Sequence, residues 1–210
     1  MVKHYFDLFR ISVLGGIAIS IGGAVFLNTE NVVAGSFLFS LGLITVCHFG
    51  FGLYTGRVQH LVEVSVKTAP NLVPVYLGNL AGTLLVGYLL MLCGKADAVA
   101  RANAMVQYKL SLPMLDVLVL SIMCGILMYI AVTGFKKITD PVGKNLIVCL
   151  PVMVFINSGY EHSIADLFYI SIAGAWNVDA VIFSVIAAVG NLIGGCLIPV
   201  VLLGITPAKP

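Results

Sequence analysis

NLIVCLPVMVFINSGYEHSIADLFYISIAG, residues 145–174, is an apolar stretch with polar and titratable residues in its middle. About 20 apolar residues are enough to cross roughly 30 Å of hydrocarbon as a helix, so this stretch is too long for one straight crossing. We predict two half-helices that are interrupted at residues 157–162. Backbone that leaves a helix at membrane depth must be buried in protein or face a water-filled cavity. The interruption therefore predicts a chamber inside the protein.

The composition of the whole chain indicates a membrane environment. Of the 210 residues, 60% are hydrophobic and 10% are charged, whereas a soluble domain is about half apolar and a quarter charged. The net charge of +2 is too small, and the basic residues too scattered, for a nucleic-acid partner. The five cysteines lie in apolar stretches with no CxxC pair and no histidine at metal spacing. We interpret them as packing residues and expect neither metal nor cofactor.

Apolar runs predict an all-α membrane protein with six transmembrane helices in one domain, residues 1–210. The runs lie at residues 8–28, 32–54, 71–93, 113–134, 145–174 and 181–204. The first run lacks an A-x-A cleavage site, so we expect it to be retained rather than removed as a signal peptide. The polar connection at residues 94–112 is too short to form a domain in water.

The basic residues predict the orientation in the membrane. An even number of spans puts both termini on one side, and this side carries Lys3, Arg10, Arg57, Lys67, Lys136, Lys137, Lys144 and Lys209. The other side carries Lys95, Arg101 and Lys109. The positive-inside rule therefore predicts a multi-pass protein of the cell (inner) membrane with both termini in the cytoplasm.

The second span carries its own signals for an interruption. Gly50, Gly52 and Gly56 crowd one end of it, and Thr55 precedes the last of these glycines. Glycine weakens a helix and lets backbones approach closely. We therefore predict that the second and fifth spans are both interrupted.

A second pair of matching segments indicates an internal repeat. GNLAG at residues 78–82 in the third span is similar to GNLIG at residues 190–194 in the sixth. Two halves of about residues 1–100 and 101–210, related by inverted topology, follow a plan common among proteins that move solutes, with the site near mid-membrane. The glycines themselves are typical of close helix packing.

The titratable residues of the fifth span are the candidate site. Ionisable groups inside a membrane cost several kcal/mol and mark pathways or relays, so we expect a functional role for His162. Thr55 beside the glycine interruption is a weaker candidate, since threonine in a membrane helix usually bonds its own backbone. We expect Glu161 to satisfy backbone N–H groups freed in the second span. Asp166 lies one turn beyond His162, where it could interact with the imidazole or be held by a neighbouring subunit or loop.

Three segments resemble one family in the right order. GYEHSIADLF (159–168) resembles the GFEHSIANMF-type signature of the formate/nitrite transporter family, GLYTG (52–56) resembles its ELFTG segment, and PVYLGNLAGT (74–83) resembles its YxGNxxG segment. The resemblance covers nearly the whole chain. It implies a homopentamer in the lipid bilayer, with an aquaporin-like six-helix fold and a pore in each subunit. It also implies transport of a small anion such as formate, nitrite or hydrosulfide with a proton.

The resemblance assigns the family's functional residues to positions of this chain. The central histidine falls on His162, the loop threonine on Thr55 and the vestibule lysine on Lys109, which would otherwise be an interfacial lysine that snorkels to water. The constrictions fall on five residues that periodicity alone would place in the core: Phe39, Phe155, Leu43, Leu53 and Tyr54. His48 has no counterpart in the family, and we expect it to bond a neighbouring helix.

The chain departs from the family pattern at several positions around the pore loop. Gly52 stands in place of Asp or Glu, Asp166 in place of Asn, Arg57 in place of Asn, and Tyr54 in place of Phe. The first span begins near Met1, and we expect the family's amphipathic N-terminal helix, and gating by it, to be lacking.

These residues predict a channel rather than an enzyme. Carrying a bare charge through an apolar slit costs from about 2.5 to over 10 kcal/mol, so we expect Lys109 to concentrate the anion and His162 to donate a proton or a hydrogen bond. Proton transfer from histidine to formate is uphill by roughly 4 kcal/mol in water, and desolvation reduces this difference. The alternatives are a neutral-solute channel, for ammonia or glycerol, and a hydrolase using Ser158 or Ser163. Adjacent helical residues point about 100° apart, which disfavours activation of Ser163 by His162.

Overall fold

The computed structural model describes residues 2–205, and this part of the chain is built from α-helices and short 3-10 turns. The helices are α1 (Val2–Leu27), α2 (Val32–Phe49), α3 (His60–Glu63), α4 (Ala69–Leu92), α5 (Ala96–Leu110), α6 (Met114–Lys137), α7 (Pro141–Asn157), α8 (Ser163–Ile172) and α9 (Val178–Val201). The 3-10 turns lie at Tyr54–Gly56 and Val66–Thr68, between α2 and α4.

The long helices match the predicted spans. Within the described residues, α1, α2, α4, α6 and α9 are long and apolar enough to cross a membrane, and the shorter helices α7 and α8 form the interrupted fifth span. Large apolar side chains are exposed on the outside of the bundle, as at Val73 and Leu115, where the surrounding medium is hydrocarbon or another protein surface. The connection at residues 94–112 contains the helix α5.

Both predicted interruptions are present, and both begin in the same way. α2 ends at Gly50 and α7 is followed by Gly159, each in the left-handed region with φ 67°. Beyond the first glycine, the Phe51 N–H donates to the carbonyl of Val46 at 3.1 Å, and beyond the second the Tyr160 N–H donates to the carbonyl of Phe155 at 2.9 Å. This six-to-one hydrogen bond is the Schellman motif that terminates a helix, and it requires a residue without Cβ strain at the left-handed position.

The two halves of the chain repeat the same helix pairing. α1 packs on α2 and α4, and α6 packs on α7 and α9. A Cβ atom at Gly82 would lie 2.3 Å from the Val13 carbonyl oxygen, and one at Gly194 would lie 2.0 Å from that of Ile122. The predicted packing role of the glycines is thus confirmed. Three crossings in each half would bring the second half into the membrane from the opposite side, so the inverted orientation of the repeat stays a prediction.

Candidate functional site

The loop that interrupts the second span is held by Asn79 of α4. Its side chain is fully buried, and its Oδ1 accepts a hydrogen bond from the Tyr54 N–H at 2.9 Å. Its Nδ2 donates to the carbonyls of Gly52 at 2.8 Å and Ser12 at 2.7 Å. Backbone groups that leave a helix inside the bundle are paired here by a single amide.

Asn191 of α9 holds the second loop with the same set of bonds. Its Oδ1 accepts from the Ser163 N–H at 2.9 Å, and its Nδ2 donates to the carbonyls of Ser121 and Glu161, both at 2.8 Å. In each half the amide therefore binds the residues on either side of one central residue. His162 of the second half corresponds in this way to Leu53 of the first half.

The loop-holding role of these asparagines was not among the sequence-based predictions, which assigned the GNLxG segments to close helix packing. An amide side chain at the same position of both copies indicates a shared hydrogen-bonding role. The prediction that Glu161 satisfies freed backbone groups of the second span was wrong, because Asn79 does so. The Glu161 carboxylate binds Lys109 instead.

His162 caps the N-terminus of α8 and contacts Thr55. Its Nδ1 accepts a hydrogen bond from the Ala165 N–H at 3.1 Å, and its Nε2 lies 3.0 Å from the Thr55 Oγ1. The side chains are buried, with 2% of His162 and 1% of Thr55 exposed. Because Nδ1 is an acceptor, the neutral imidazole carries its proton on Nε2 and donates it to Thr55. The Thr55 hydroxyl proton is then free to be donated elsewhere.

Aromatic rings line one side of the histidine. The Phe155 ring stacks on the His162 ring with centroids 5.4 Å apart and 22° between the planes, and the Phe39 ring meets Phe155 edge-on at 5.8 Å. Leu43 and Leu53 are each 1% exposed. The imidazole thus packs against an apolar ring on one face, although it also lines a cavity that contains charged side chains.

Tyr54 lies beside these residues but is bonded in another direction. Its hydroxyl donates to the Ala188 carbonyl of α9 at 3.1 Å, and its ring meets that of Tyr76 edge-on at 5.2 Å. It lines a separate apolar cavity with Leu72 and Val185. These contacts fix the start of the 3-10 turn, and a role for Tyr54 in a constriction stays a prediction.

Lys109, near the end of α5, is neutralised by two carboxylates. Its Nζ contacts the Glu161 Oε2 and lies 3.0 Å from the Asp166 Oδ1. The lysine side chain is 13% exposed and both carboxylates are 2% exposed, so Lys109 does not snorkel to water. The Asp166 Oδ2 is buried without a partner among the described residues. The sequence left two partners open for Asp166, the His162 imidazole or a neighbouring subunit or loop. The structure shows the second kind of partner, since Lys109 of the connection between the spans binds the carboxyl. One ammonium group therefore faces two carboxylates.

Two cavities are lined by residues at or close to the Thr55 and His162 pair. The first, of about 170 Å³, is lined by thirteen residues that include Lys109, Phe155, Glu161, His162 and Asp166. The second, of about 260 Å³, is lined by eleven residues that include Leu53, Gly56, Arg57, His60 and Lys136. His162 lines the first cavity and Gly56, the residue after Thr55, lines the second, so the hydrogen-bonded pair joins segments that line the two cavities.

Three other predictions concern the partner of His48, activation of Ser163 by His162, and metal binding. His48 Nε2 lies 2.9 Å from the Asn145 Oδ1 of α7, which confirms the predicted bond to a neighbouring helix. Both ring nitrogens of His162 are engaged by Ala165 and Thr55, so neither is available to activate Ser163. Within residues 2–205, no cluster of three or more His, Cys, Asp or Glu side chains could hold a metal ion.

The fold and the site define an integral membrane protein in which two interrupted helices bring Thr55 and His162 into contact beside cavities. A family model described as "Formate/nitrite transporter" matches residues 2–205. The chain belongs to the formate/nitrite transporter family.

Curated relatives come from several bacteria. The formate channel FocA of Escherichia coli (strain K12) is 29% identical over 189 residues, which cover 80% of this chain and 66% of that protein. The transporter YrhG of Bacillus subtilis (strain 168) is 32% identical over 178 residues, covering 78% of this chain and 67% of the relative. The chain thus spans about two thirds of the length of these relatives.

Solved structures share the fold. A pentameric formate channel with formate bound superposes with a TM-score of 0.83 at 24% identity, covering 96% of both chains. An ion channel of the same family superposes with a TM-score of 0.87 at 19% identity, covering 98% of this chain and 92% of that one. These matches confirm the predicted all-helical channel fold with interrupted helices.

Proposed function

We propose that the protein is a channel for small monovalent weak-acid anions, with formate as its main substrate, which cross together with a proton. The observation that carries the proposal is the buried hydrogen bond between Thr55 and His162, which joins two interrupted segments that each line a cavity. Nitrite and hydrosulfide are the alternative substrates of the same class. The relatives described as formate channels support this choice.

The environment of the pair supports passage of a neutral acid rather than a bare anion. Four apolar side chains that we assign to the passage offer no countercharge: Phe39, Phe155, Leu43 and Leu53. A bare charge in such a passage costs from about 2.5 to over 10 kcal/mol. We propose that these four side chains form two constrictions. A substrate that carries its own proton avoids most of this cost.

The tautomer of His162 supports a role in hydrogen bonding. The Ala165 N–H occupies Nδ1, so an imidazolium would lose the cap of α8, which contributes about 1 kcal/mol. The neutral imidazole donates Nε2–H to Thr55, and the Thr55 hydroxyl donates to the passing oxygen. We therefore propose His162 as a hydrogen-bond gate acting through Thr55, in preference to a proton donor.

We propose further that Glu161 and Asp166 support the pore loop by holding Lys109. Lys109 then acts mainly as a partner of the two carboxylates, which reduces its power to attract anions. This proposal differs from the sequence-based prediction because one positive charge faces two negative ones.

Assembly and location complete the proposal. We propose a homopentamer in the cell (inner) membrane, with a pore in each subunit and both termini in the cytoplasm. The solved pentameric channel of the same fold, the exposed apolar side chains and the distribution of basic residues support it. Light scattering of the purified protein measures the subunit number, and accessibility of an engineered cysteine near residue 3 to an impermeant reagent in cells measures the side of the terminus.

Transport by purified protein in liposomes tests the proposed function. One panel compares uptake of labelled formate, nitrite and hydrosulfide with uptake of ammonia and glycerol. We expect flux of the weak acids that rises as the outside pH falls, because the neutral acid is the species that crosses. Equal flux of glycerol and formate would indicate a neutral-solute channel, and the absence of any flux would refute a channel.

Variants of the pair test the gate. We expect His162→Phe to lose most formate flux, while the remaining flux still rises as the outside pH falls, because that dependence comes from the neutral acid. Thr55→Val keeps the shape but removes the hydroxyl that would donate to the passing oxygen, and it should lower flux about tenfold, since one hydrogen bond is worth about 1 kcal/mol. Thr55→Ser keeps the hydroxyl and serves as the matched control. Unchanged flux in His162→Phe would refute the gate.

A further inference from the structure

We propose that the cavity lined by Arg57, His60 and Lys136 is a binding site for a small monovalent oxyanion, and that charged substrate is first held there rather than beside Lys109. This inference deepens the proposed function, since it names the loading site of the same pathway. Its test measures binding, so its outcome does not depend on whether transport occurs.

The cavity gathers basic side chains from three elements. Arg57 follows the 3-10 turn of the second span, His60 begins α3, and Lys136 lies in the last turn of α6. None of the eleven lining residues is acidic. The cavity holds about 260 Å³, which is enough for a formate-sized anion with a few waters, given about 30 Å³ for each water.

Arg57 is the residue that most needs a ligand. Its side chain is partly buried, and among residues 2–205 it has neither a carboxylate partner within 4.0 Å nor a side-chain hydrogen bond to a protein acceptor. A partly desolvated guanidinium is costly without an acceptor, and its planar fork of donors matches an oxyanion. A bound anion would supply the missing acceptor.

The charged groups around the cavity make its electrostatic potential positive. Burial lowers the pKa of His60, Lys136 and Arg57 lower it further, and Glu63 opposes them. On the rim, the Lys144 Nζ lies 4.3 Å from the centre of the Phe135 ring, which lines the cavity. The basic groups thus dominate the potential at His60 although Glu63 lies on the same short helix.

The cavity beside Lys109 has no comparable excess of positive charge. Its one lysine, Lys109, faces two carboxylates, Glu161 and Asp166, so its formal charge is negative when all three are ionised. The basic cavity, in contrast, is lined by Leu53, which lies next to the Thr55 loop. An anion bound at Arg57 is therefore held where the pathway begins on that side.

Titration of His60 tests the site directly. Protein with ¹⁵N-labelled histidine is placed in nanodiscs of phosphatidylcholine alone, and the pKa of His60 is measured by NMR with sodium formate or sodium gluconate at equal ionic strength. Formate at Arg57 should raise the pKa of His60 by about half a unit, the effect of a unit charge about 6 Å away in a water-like dielectric. The bulky gluconate should not.

Matched variants separate the site from general surface charge. In Arg57→Gln we expect a higher starting pKa of His60, because a positive neighbour is lost, and no response to formate. Lys137→Gln removes a charge from the same end of α6, outside the cavity lining, and should respond like the parent protein. The absence of a formate response in the parent, or an equal response in Arg57→Gln, would overturn the proposal.

Anionic lipid is the other source of the same chemistry. A phosphate headgroup could reach a basic cavity at the membrane surface, so the titration is repeated in nanodiscs that contain phosphatidylglycerol and no formate. We expect the smaller response there. If phosphatidylglycerol raised the pKa of His60 while formate in phosphatidylcholine did not, the site would belong to a lipid headgroup and the assignment to a dissolved anion would be refuted.

Discussion

Replacing Asn191 by leucine should destabilise the protein strongly, because one amide holds the loop that carries His162. The change keeps the number and branching of the side-chain heavy atoms but removes one accepted and two donated hydrogen bonds, to Ser163, Ser121 and Glu161. An unpaired buried polar group costs about 1–3 kcal/mol, so three of them, partly relieved by relaxation, cost about 3–6 kcal/mol. For a chain of this size each kcal/mol corresponds to roughly 2–4 °C of melting temperature.

Thermal unfolding of the purified protein in one detergent measures this effect. We expect the melting temperature of Asn191→Leu to fall by about 10 °C or more. Asn79→Leu should fall by a similar amount, since Asn79 makes the same set of bonds in the other half. Asn103→Leu is the control, because the Asn103 side chain bonds only a carbonyl of its own helix, that of Val99.

The comparison among these variants decides the outcome. A melting temperature of Asn191→Leu within about 2 °C of that of Asn103→Leu would refute the role of the amide as the holder of the loop. A large effect of Asn191→Leu with none for Asn79→Leu would refute the equivalence of the two halves.

Two further predictions concern the vestibule charge and the helix contact. Asp166→Asn should raise formate uptake about threefold, since removing a unit charge about 6 Å from the anion is worth about 0.7 kcal/mol in water. Initial rates of uptake into liposomes measure this, and Asp97→Asn, which changes an exposed carboxyl of α5, is the control. A rate for Asp166→Asn equal to or below that of the parent protein would contradict the prediction. Gly194→Val should prevent recovery of monodisperse protein, because its Cβ would lie 2.0 Å from the Ile122 carbonyl oxygen. Size-exclusion chromatography measures the recovery, with Ile193→Val as the control, and a normal profile for Gly194→Val would show that α6 and α9 can separate.

The sequence by itself determined the membrane environment, the spans and the places where they are interrupted. These properties follow from local composition, because a lipid-spanning helix requires about 20 apolar residues and the glycines at 50 and 159 permit a left-handed termination that other residues resist. The same reasoning gave His162, Thr55 and the internal repeat, and the family motifs added Lys109 and the residues of the constrictions. Each of these features depends on residue type and spacing along the chain.

Only the tertiary structure decided which side chains meet. The pairing of Lys109 with Glu161 and Asp166 joins α5 to the interrupted fifth span, and the amides of Asn79 and Asn191 each join three separate segments. Such contacts depend on how the helices pack, because the same local sequence allows a side chain to contact several different partners. The charge that a substrate encounters depends on those partners. The neutralisation of Lys109, and the lack of a side-chain partner for Arg57 among residues 2–205, therefore follow only from the packing of the helices.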